Sequence, residues 1–509
     1  MPDNSSSNKL IAKNTLLLYA RMLLLLVVSL FTSRVVLATL GVEDYGLYNV
    51  VGGIVVMFTF INKAMGNSTS RFITFALGKG DKDELKNVVG VSFLIHWVIA
   101  GIILLLAETV GLWFLYNKMI IPDERMTAAF WVYQFSVISC MVSIISVPFN
   151  SMIIAHEKMG AFAFISILDA VLKLLIVYLI QISPFDKLVF YAALILGVGI
   201  LDRIIYQVYC YRHFEEARGI KYKKTGLVKQ MTSFAVWAMV GNLAYVGYTQ
   251  GLNILLNMFF GPAVNAARGV AVQVQGIINE FVTNFQTAVN PQITKSYAAD
   301  EKGRVRDLLF LSSKFSFFLL LLLSLPVFLE APKILGLWLV EVPEHTVSFI
   351  RLLILIMLAQ SLHNPVSMIK SATGNIRVYQ LVIGGILLSI VPISYVALKM
   401  GAHSEAVFAV HLFVQVIAQT IAVLMVRKDI GLSFGYYLKN VILNVSIVTL
   451  ISCLIPVLLY LQLPDTITNM IVVIVVSLLS AGVVIILLGL TKHERSFLFE
   501  RVAKIVKKK

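Results

Sequence analysis

Residues 471–490 read IVVIVVSLLSAGVVIILLGL, twenty positions without a charged side chain. At 1.5 Å per residue a helix of that length is about 30 Å long, the thickness of a bilayer's hydrocarbon core. Strands of a transmembrane barrel instead alternate apolar and polar residues in segments of about ten. The stretch is therefore a spanning helix, and the rest of the chain repeats its pattern. Of 509 residues, 59% are hydrophobic and 14% are charged, and mean hydropathy is +0.87. A soluble domain carries about a quarter charged residues, so an ordinary soluble enzyme is excluded.

Outward from that stretch, apolar runs fall near 15–38, 46–63, 87–109, 127–154, 161–182 and 187–210. After a charged segment they resume near 230–258, 263–290, 308–329, 346–371, 376–398 and 405–426, then 440–461 and 467–490. The expected fold is an all-α integral membrane protein of about 14 transmembrane helices. It divides into an N-terminal six-helix lobe (1–211), a cytoplasmic inter-lobe loop (212–229), a C-terminal six-helix lobe (230–426), and two extra helices with a basic cytoplasmic tail (427–509).

The net charge of +15 is carried by short loops and the C-terminal tail, a topological signal rather than a nucleic-acid surface. With the N-terminus inside, about 29 Lys and Arg lie in cytoplasmic segments and about 5 in external loops, which sets both termini in the cytoplasm. The Ser-rich residues 1–14 precede a run longer than a signal-peptide core, so an uncleaved first span is expected. Cys140, Cys210 and Cys453 are too few and scattered for a disulfide framework or a metal site.

The chain also matches itself. At a spacing of 220, Leu40-Gly41 falls on Phe260-Gly261 and Asp81-Lys82 on Glu301-Lys302. At a spacing of about 217, Pro148, Met152, Ile153 and Ala155 recur as Pro365, Met368, Ile369 and Ala372. Six spans separate the copies, an even number, so the lobes form a parallel repeat about an axis along the membrane normal. Two such lobes are expected to face a central cavity.

Polar stripes mark what would line it. Asn265, Arg268, Gln275, Asn279, Thr283, Gln286 and Asn290 fall within about 80° of one face of span eight. Tyr45, Asn49, Thr59, Lys63, Asn67 and Ser70 share a face of span two, and Asn242, Tyr245, Thr249, Asn253 and Asn257 one of span seven. Unpaired polar groups in hydrocarbon cost several kcal/mol, so such stripes face water or protein; interhelical hydrogen bonding is the plainer reading of each. Spans one, two, seven and eight hold Arg21, Arg34, Lys63 and Arg268 against a single acid, Glu280, which favours an anionic substrate. Arg268 shares the stripe and is the foremost substrate contact; Arg21, Arg34 and Lys63 lie near membrane surfaces, where snorkelling competes. Asn242, Asn253, Asn265, Gln275 and Asn279 complete the expected binding set.

Glu280, His96 and Asp169 are the candidates for coupling to Na+ or H+, since intramembrane ionisable groups relay protons or hold cations. Asp169 has a competing reading as an i,i+4 pair with Lys173. No Walker loop, dinucleotide fingerprint or zinc-ligand pair is present, so no cofactor, metal or catalytic residue is expected. The external loops are short, the longest being 330–345, which argues against a polymerase or ligase. A drug-cation antiporter would favour acids where bases dominate.

The sequence LGVEDYGLYN at 40–49, PFNSMIIAHEK at 148–158, and Val264-Asn265-Ala266-Ala267-Arg268 running on to Asn290-Pro291-Gln292-Ile293 resemble the polysaccharide transporter family, within the multidrug/oligosaccharidyl-lipid/polysaccharide exporter superfamily. The resemblance covers residues 10–490. It implies a flippase that moves undecaprenyl-diphosphate-linked oligosaccharide across the bacterial inner membrane for O-antigen, capsule or exopolysaccharide assembly. It further implies two alternating lobes, Arg268 as a headgroup contact, and membrane lipids and the polysaccharide polymerase machinery as partners. The two arginines of span one also resemble the peptidoglycan-precursor flippases of the same superfamily.

Overall fold

A computed structural model describes residues 4–56, 59–117, 121–218, 226–339, 342–491 and 495. Among them every regular element is helical. In chain order these are α1 (Asn4–Val56), α2 (Thr59–Lys79), α3 (Lys82–Leu106), α4 (Leu112–Asn117), α5 (Met126–Ala155), α6 (Met159–Gln181), α7 (Lys187–His213), α8 (Leu227–Phe260) and α9 (Pro262–Ala298). There follow α10 (Lys302–Trp338), α11 (Thr346–Thr373), α12 (Arg377–Leu388), α13 (Ile390–Lys399), α14 (Ala406–Val426), α15 (Phe434–Tyr437), α16 (Leu443–Gln462) and α17 (Ile467–Val484). Eleven described segments are long and apolar enough to cross a membrane. The 34-residue α8 and 37-residue α9 also have the length, but they carry the polar stripes that lower their hydropathy. The chain is a multi-pass membrane protein.

The repeat is written in the backbone. α3 starts at Lys82 and α10 at Lys302, in the 220-residue register. Just before them Gly80 (φ +74°) and Asp300 (φ +55°) take the same left-handed conformation. In the 217-residue register, Glu157 (φ +58°) and Gly374 (φ +79°) do so after α5 and α11. A residue with a Cβ loses about 1–2 kcal/mol in that conformation, so its recurrence at equivalent positions reflects a shared chain path, not local preference.

The Leu40-Gly41 match is the exception. Gly261 (φ +81°) ends α8 and Pro262 opens α9, as a glycine C-cap followed by proline should. Residues 39–45, expected to turn between the first two spans, are instead helical within the 53-residue α1. Gly41 is followed by valine, and a lone glycine costs a helix only about 1 kcal/mol.

By contacts the chain divides into two units, Met1–Met239 with Tyr297–Ala299, and Val240–Ser296 with Asp300–Lys509; the division falls within α8. In the first unit α5 packs on α2, α3 and α7, and α1 packs on α6. Its core joins Ile103, Leu115, Tyr133, Ile144 and Leu188. Tyr133 donates to the Ala107 carbonyl (2.8 Å), one of the groups loosened by a π-turn at Ala107–Gly111. Gly111 is required there, because a Cβ would overlap the Tyr133 hydroxyl.

In the second unit α10 packs on α11, and α16 and α17 pack on α10. α10 breaks at Glu330 (φ −98°, ψ 19°). Pro332 has no N–H for the Phe328 carbonyl, and Arg351 of α11 replaces it, donating to Phe328 (2.9 Å) and Leu329 (3.3 Å). Lys333 then pairs with Glu330 (3.1 Å) and with Asp465 between α16 and α17 (2.9 Å), tying the appended helices to this broken end.

An ion cluster closes one end of the first unit. Arg125 donates to both carboxylate oxygens of Asp44 and to Asp186 (2.6 Å), while Asp186 also caps α7 through the N–H groups of Leu188 and Val189 (3.0 Å each). Burial opposes ionisation of Asp186, but the Val189 and Arg125 hydrogen bonds outweigh it and hold the carboxyl below its ordinary 3.8. A depressed carboxylate contributes stability that is present above the unfolded value and lost as pH falls through the folded one. The unfolding midpoint is therefore expected to fall more steeply below pH 4 in the wild type than in Asp186→Asn. With the Asp186 side chain 37% exposed, solvent screening limits the difference to about 1 kcal/mol. Parallel acid dependence of the two proteins, read by thermal unfolding in detergent, would exclude this contribution.

Candidate functional site: a half-buried arginine in one unit and an acid pair in the other

Arg268 lies on the second turn of α9, half-buried. Its Nη1 donates to Asn253 Oδ1 (3.2 Å) and its Nη2 to the Thr249 carbonyl (2.9 Å), both on α8. Two residues placed on separate stripes by periodicity, Arg268 and Asn253, thus meet. Tyr245, whose ring meets that of Tyr248 edge-on (5.4 Å), is 47% exposed. No carboxylate pairs with Arg268 among the described residues. A half-buried guanidinium held by neutral oxygens keeps its full charge and spare hydrogen-bonding capacity, the chemistry for capturing an anion.

The remaining stripe of α9 splits. Gln286 turns into its own unit, donating to Ser316 of α10 (3.1 Å) and accepting from Asn364 of α11 (3.4 Å). Asn279, Thr283 and Glu280 are exposed, and Asn242 and Gln275 are half-buried. The side chains of Asn265, Arg34 and Lys63 lie outside the described residues. Both readings of a polar stripe therefore hold on one helix, with hydrogen bonds to neighbouring helices along one edge and exposed polar groups along the other.

In the first unit Arg21 stacks over Phe162 of α6 (4.5 Å) rather than standing alone. Asp169 accepts from Lys173 (2.8 Å), the i,i+4 pair that the spacing suggested. Opposite it, on α7, Asp202 comes within hydrogen-bonding reach of the Asp169 carboxyl, and its Oδ1 is buried with no partner. Tyr206, one turn further, is within electrostatic reach of Arg21, Asp169 and Asp202. His96 is fully buried on α3; its Nδ1 donates to Ser92 O (2.7 Å) and its Nε2 has no partner. His96 and Asp169 belong to different faces of the unit's sequence and make no shared contact among the described residues.

Three groups escaped the sequence reading. Asp202 was legible as an acid within an apolar span. His411 of α14 is 7% exposed, with its ring 5.1 Å from that of Tyr248. His363 centres a closed network: Tyr379 donates to its Nε2 (3.2 Å), its Nδ1 donates to Gln419 (3.1 Å), and Gln419 donates to Leu362 O and Tyr437. Every polar atom of that imidazole is satisfied, which fits a packing role.

A cleft of 490 Å³ in the first unit is lined by Lys82, Lys86, Lys158, His156 and Glu216, among others. Two of its charges are paired within it: Lys82 with Glu215 (3.5 Å) and His156 with Glu216 (2.5 Å). Burial opposes ionisation of Glu216, but the His156 hydrogen bond prevails and holds the carboxyl below its ordinary 4.5.

No protein-family model and no curated protein matches the chain. Solved structures do. A mutant of the transporter MATE superposes with a TM-score of 0.72 at 14% identity, over 84% of this chain and 96% of that one. An outward-facing multidrug resistance MATE family transporter of the MOP superfamily gives 0.71 at 13% identity, with the same coverages. A MOP superfamily transporter from Pyrococcus furiosus gives 0.69 at 14% identity, again over 84% and 96%; its binding pocket is described as having reversed polarity, suggesting a different function for that protein. At these identities the likeness shows the fold: this chain has the two-lobed fold of MATE transporters.

Proposed function

We propose that this protein is a flippase that moves undecaprenyl-diphosphate-linked oligosaccharide across the bacterial inner membrane by alternating access, supplying O-antigen, capsule or exopolysaccharide assembly. The observation that carries the proposal is Arg268, a half-buried cation in a transporter-like fold whose described partners are neutral oxygens. An unneutralised guanidinium in a span attracts an anion, and its planar fork suits phosphate oxygens. In this reading Arg268 holds the diphosphate, while Asn242, Asn253, Asn265, Gln275 and Asn279 meet sugar hydroxyls. The lipid tail stays in the bilayer. Arg21, stacked on Phe162 near the acids, serves the coupling region more than the headgroup.

Asp169 and Asp202 are the coupling groups. Two carboxyls can hydrogen-bond directly only when one carries a proton, and the pair can otherwise be bridged by a cation such as Na+. Loss or uptake of that ion, with Lys173 as the fixed neighbour, would bias the equilibrium between inward- and outward-open forms. The same acid pair favours a second reading, a drug-cation antiporter of the MATE fold.

The experiment that separates them is transport in proteoliposomes with an imposed Na+ or H+ gradient. Three cargoes are offered: a fluorescent polyprenyl-diphosphate oligosaccharide, its monophosphate counterpart, and a cationic dye. Gradient-stimulated movement of the diphosphate alone supports the flippase. Dye efflux without movement of either lipid would overturn it in favour of the antiporter.

A further inference from the structure

Arg268 has a neighbour that the proposed site does not yet use. Its Nε is buried without a hydrogen-bond partner, although Nη1 and Nη2 are engaged. The Nε2 of His411, on α14, is likewise buried and without a partner. The two side chains meet consecutive residues of α8: the His411 ring packs on Tyr248, and Arg268 binds the Thr249 carbonyl. They lie within electrostatic reach of each other. A buried polar atom left unpaired is costly, and these two, on separate helices, lie within electrostatic reach of each other, so they call for a common partner.

That partner is not supplied by the surrounding helices. Among the described residues neither Arg268 nor His411 forms an ion pair with a carboxylate. Glu405, at the start of α14, accepts from His345 (2.7 Å), and His363 of α11 is closed into its network with Gln419 and Tyr379. On α8 the facing groups are the phenols of Tyr245 and Tyr248, whose rings lie 5.4 Å apart. On the Arg268 side, Tyr245, Gly269 and Val272 are exposed.

We propose that Arg268 Nε and His411 Nε2 are two donors of one anion site, and that His411 is the residue that makes the site prefer a diphosphate over a monophosphate. The inference rests on the Arg268 reading given above. A single phosphate is met by the guanidinium alone. A diphosphate carries a second phosphoryl group, which in this proposal takes the imidazole N–H and so satisfies both unpaired atoms.

The test is equilibrium binding to the full chain in lipid nanodiscs, using farnesyl-diphosphate-linked N-acetylglucosamine and its monophosphate analogue as probes. The wild type is expected to prefer the diphosphate by roughly tenfold, the worth of one charge-assisted hydrogen bond. His411→Phe keeps a ring against Tyr248 but removes the donor, and is expected to bind the two probes about equally. His411→Gln, which retains a donor, is expected to recover part of the preference. A merely structural histidine would weaken both probes in parallel. An unchanged preference in His411→Phe, or a parallel loss in both variants, overturns the inference while leaving the flippase reading intact. Failure of the wild type to bind either probe overturns both. Equal competition by inorganic pyrophosphate supports the diphosphate site but assigns it to a free anion rather than a lipid headgroup.

Discussion

Replacing Arg268 with alanine is expected to lower diphosphate-lipid transport about 100-fold at limiting substrate while leaving the protein folded. The magnitude follows from the loss of two charge-assisted hydrogen bonds at the weak end of their range, about 1.5 kcal/mol each, or about two decades together. The structural cost is smaller, because the groups released, Asn253 Oδ1 and the Thr249 carbonyl, are neutral acceptors. Thr249 O is already within a helical backbone and is left only with its ordinary helical partner. Arg268→Lys separates charge from geometry. A lysine restores one cation without the planar fork, so transport should recover in part and the advantage of diphosphate over monophosphate should stay low. Transport by Arg268→Ala at the wild-type rate, with an unchanged unfolding midpoint, would remove Arg268 from the site and with it the main support for an anionic cargo.

What the sequence disclosed and what it hid follow from the range of the interactions involved. Hydropathy and helical period are local properties, so the helical membrane class was legible in a run such as 471–490, and the polarity of α8 and α9 in their stripes. The repeat was legible because each stretch keeps its own register, 220 residues early and 217 later; the left-handed pairs Gly80 and Asp300, and Glu157 and Gly374, fall where those registers put them. The continuation of α1 through residues 39–45 was not, since a glycine marks a turn only when its neighbours also disfavour helix, as Pro262 does after Gly261. Arg268 could be singled out as an in-span cation. Its grip on Asn253 could not, nor could the approach of His411, 143 positions further along, because both depend on how helices are rotated against one another. Asp202 stood in plain view within a span, but its meaning comes from Asp169 on the preceding helix. Hydropathy registers one polar residue in an apolar run as noise; only packing turns two of them into a pair.

That pair carries the second large effect. Asp202→Asn is expected to abolish the stimulation of transport by an ion gradient while downhill movement of the lipid continues. The substitution is nearly isosteric and leaves the Asp169–Lys173 pair (2.8 Å) in place, so the unit should fold as before. It removes the second ionisable carboxyl, and an asparagine amide can hydrogen-bond Asp169 whether or not an ion is present. The two states that a gradient would distinguish then become equivalent, and a ligand with no differential affinity for two conformations shifts nothing. A one-unit pH gradient supplies about 1.4 kcal/mol per proton, so a wild-type stimulation of about tenfold per unit is the ceiling for one coupled proton. Asp169→Asn tests the partner and should also release Lys173, giving a lower unfolding midpoint in addition to uncoupling. If Asp202→Asn retains the wild-type response to both Na+ and H+ gradients, the acids are structural, and coupling must be sought at His96 in the same unit or at the exposed Glu280 of α9. If instead it stops downhill movement as well, with folding intact, the pair acts in the conformational change itself rather than in its coupling.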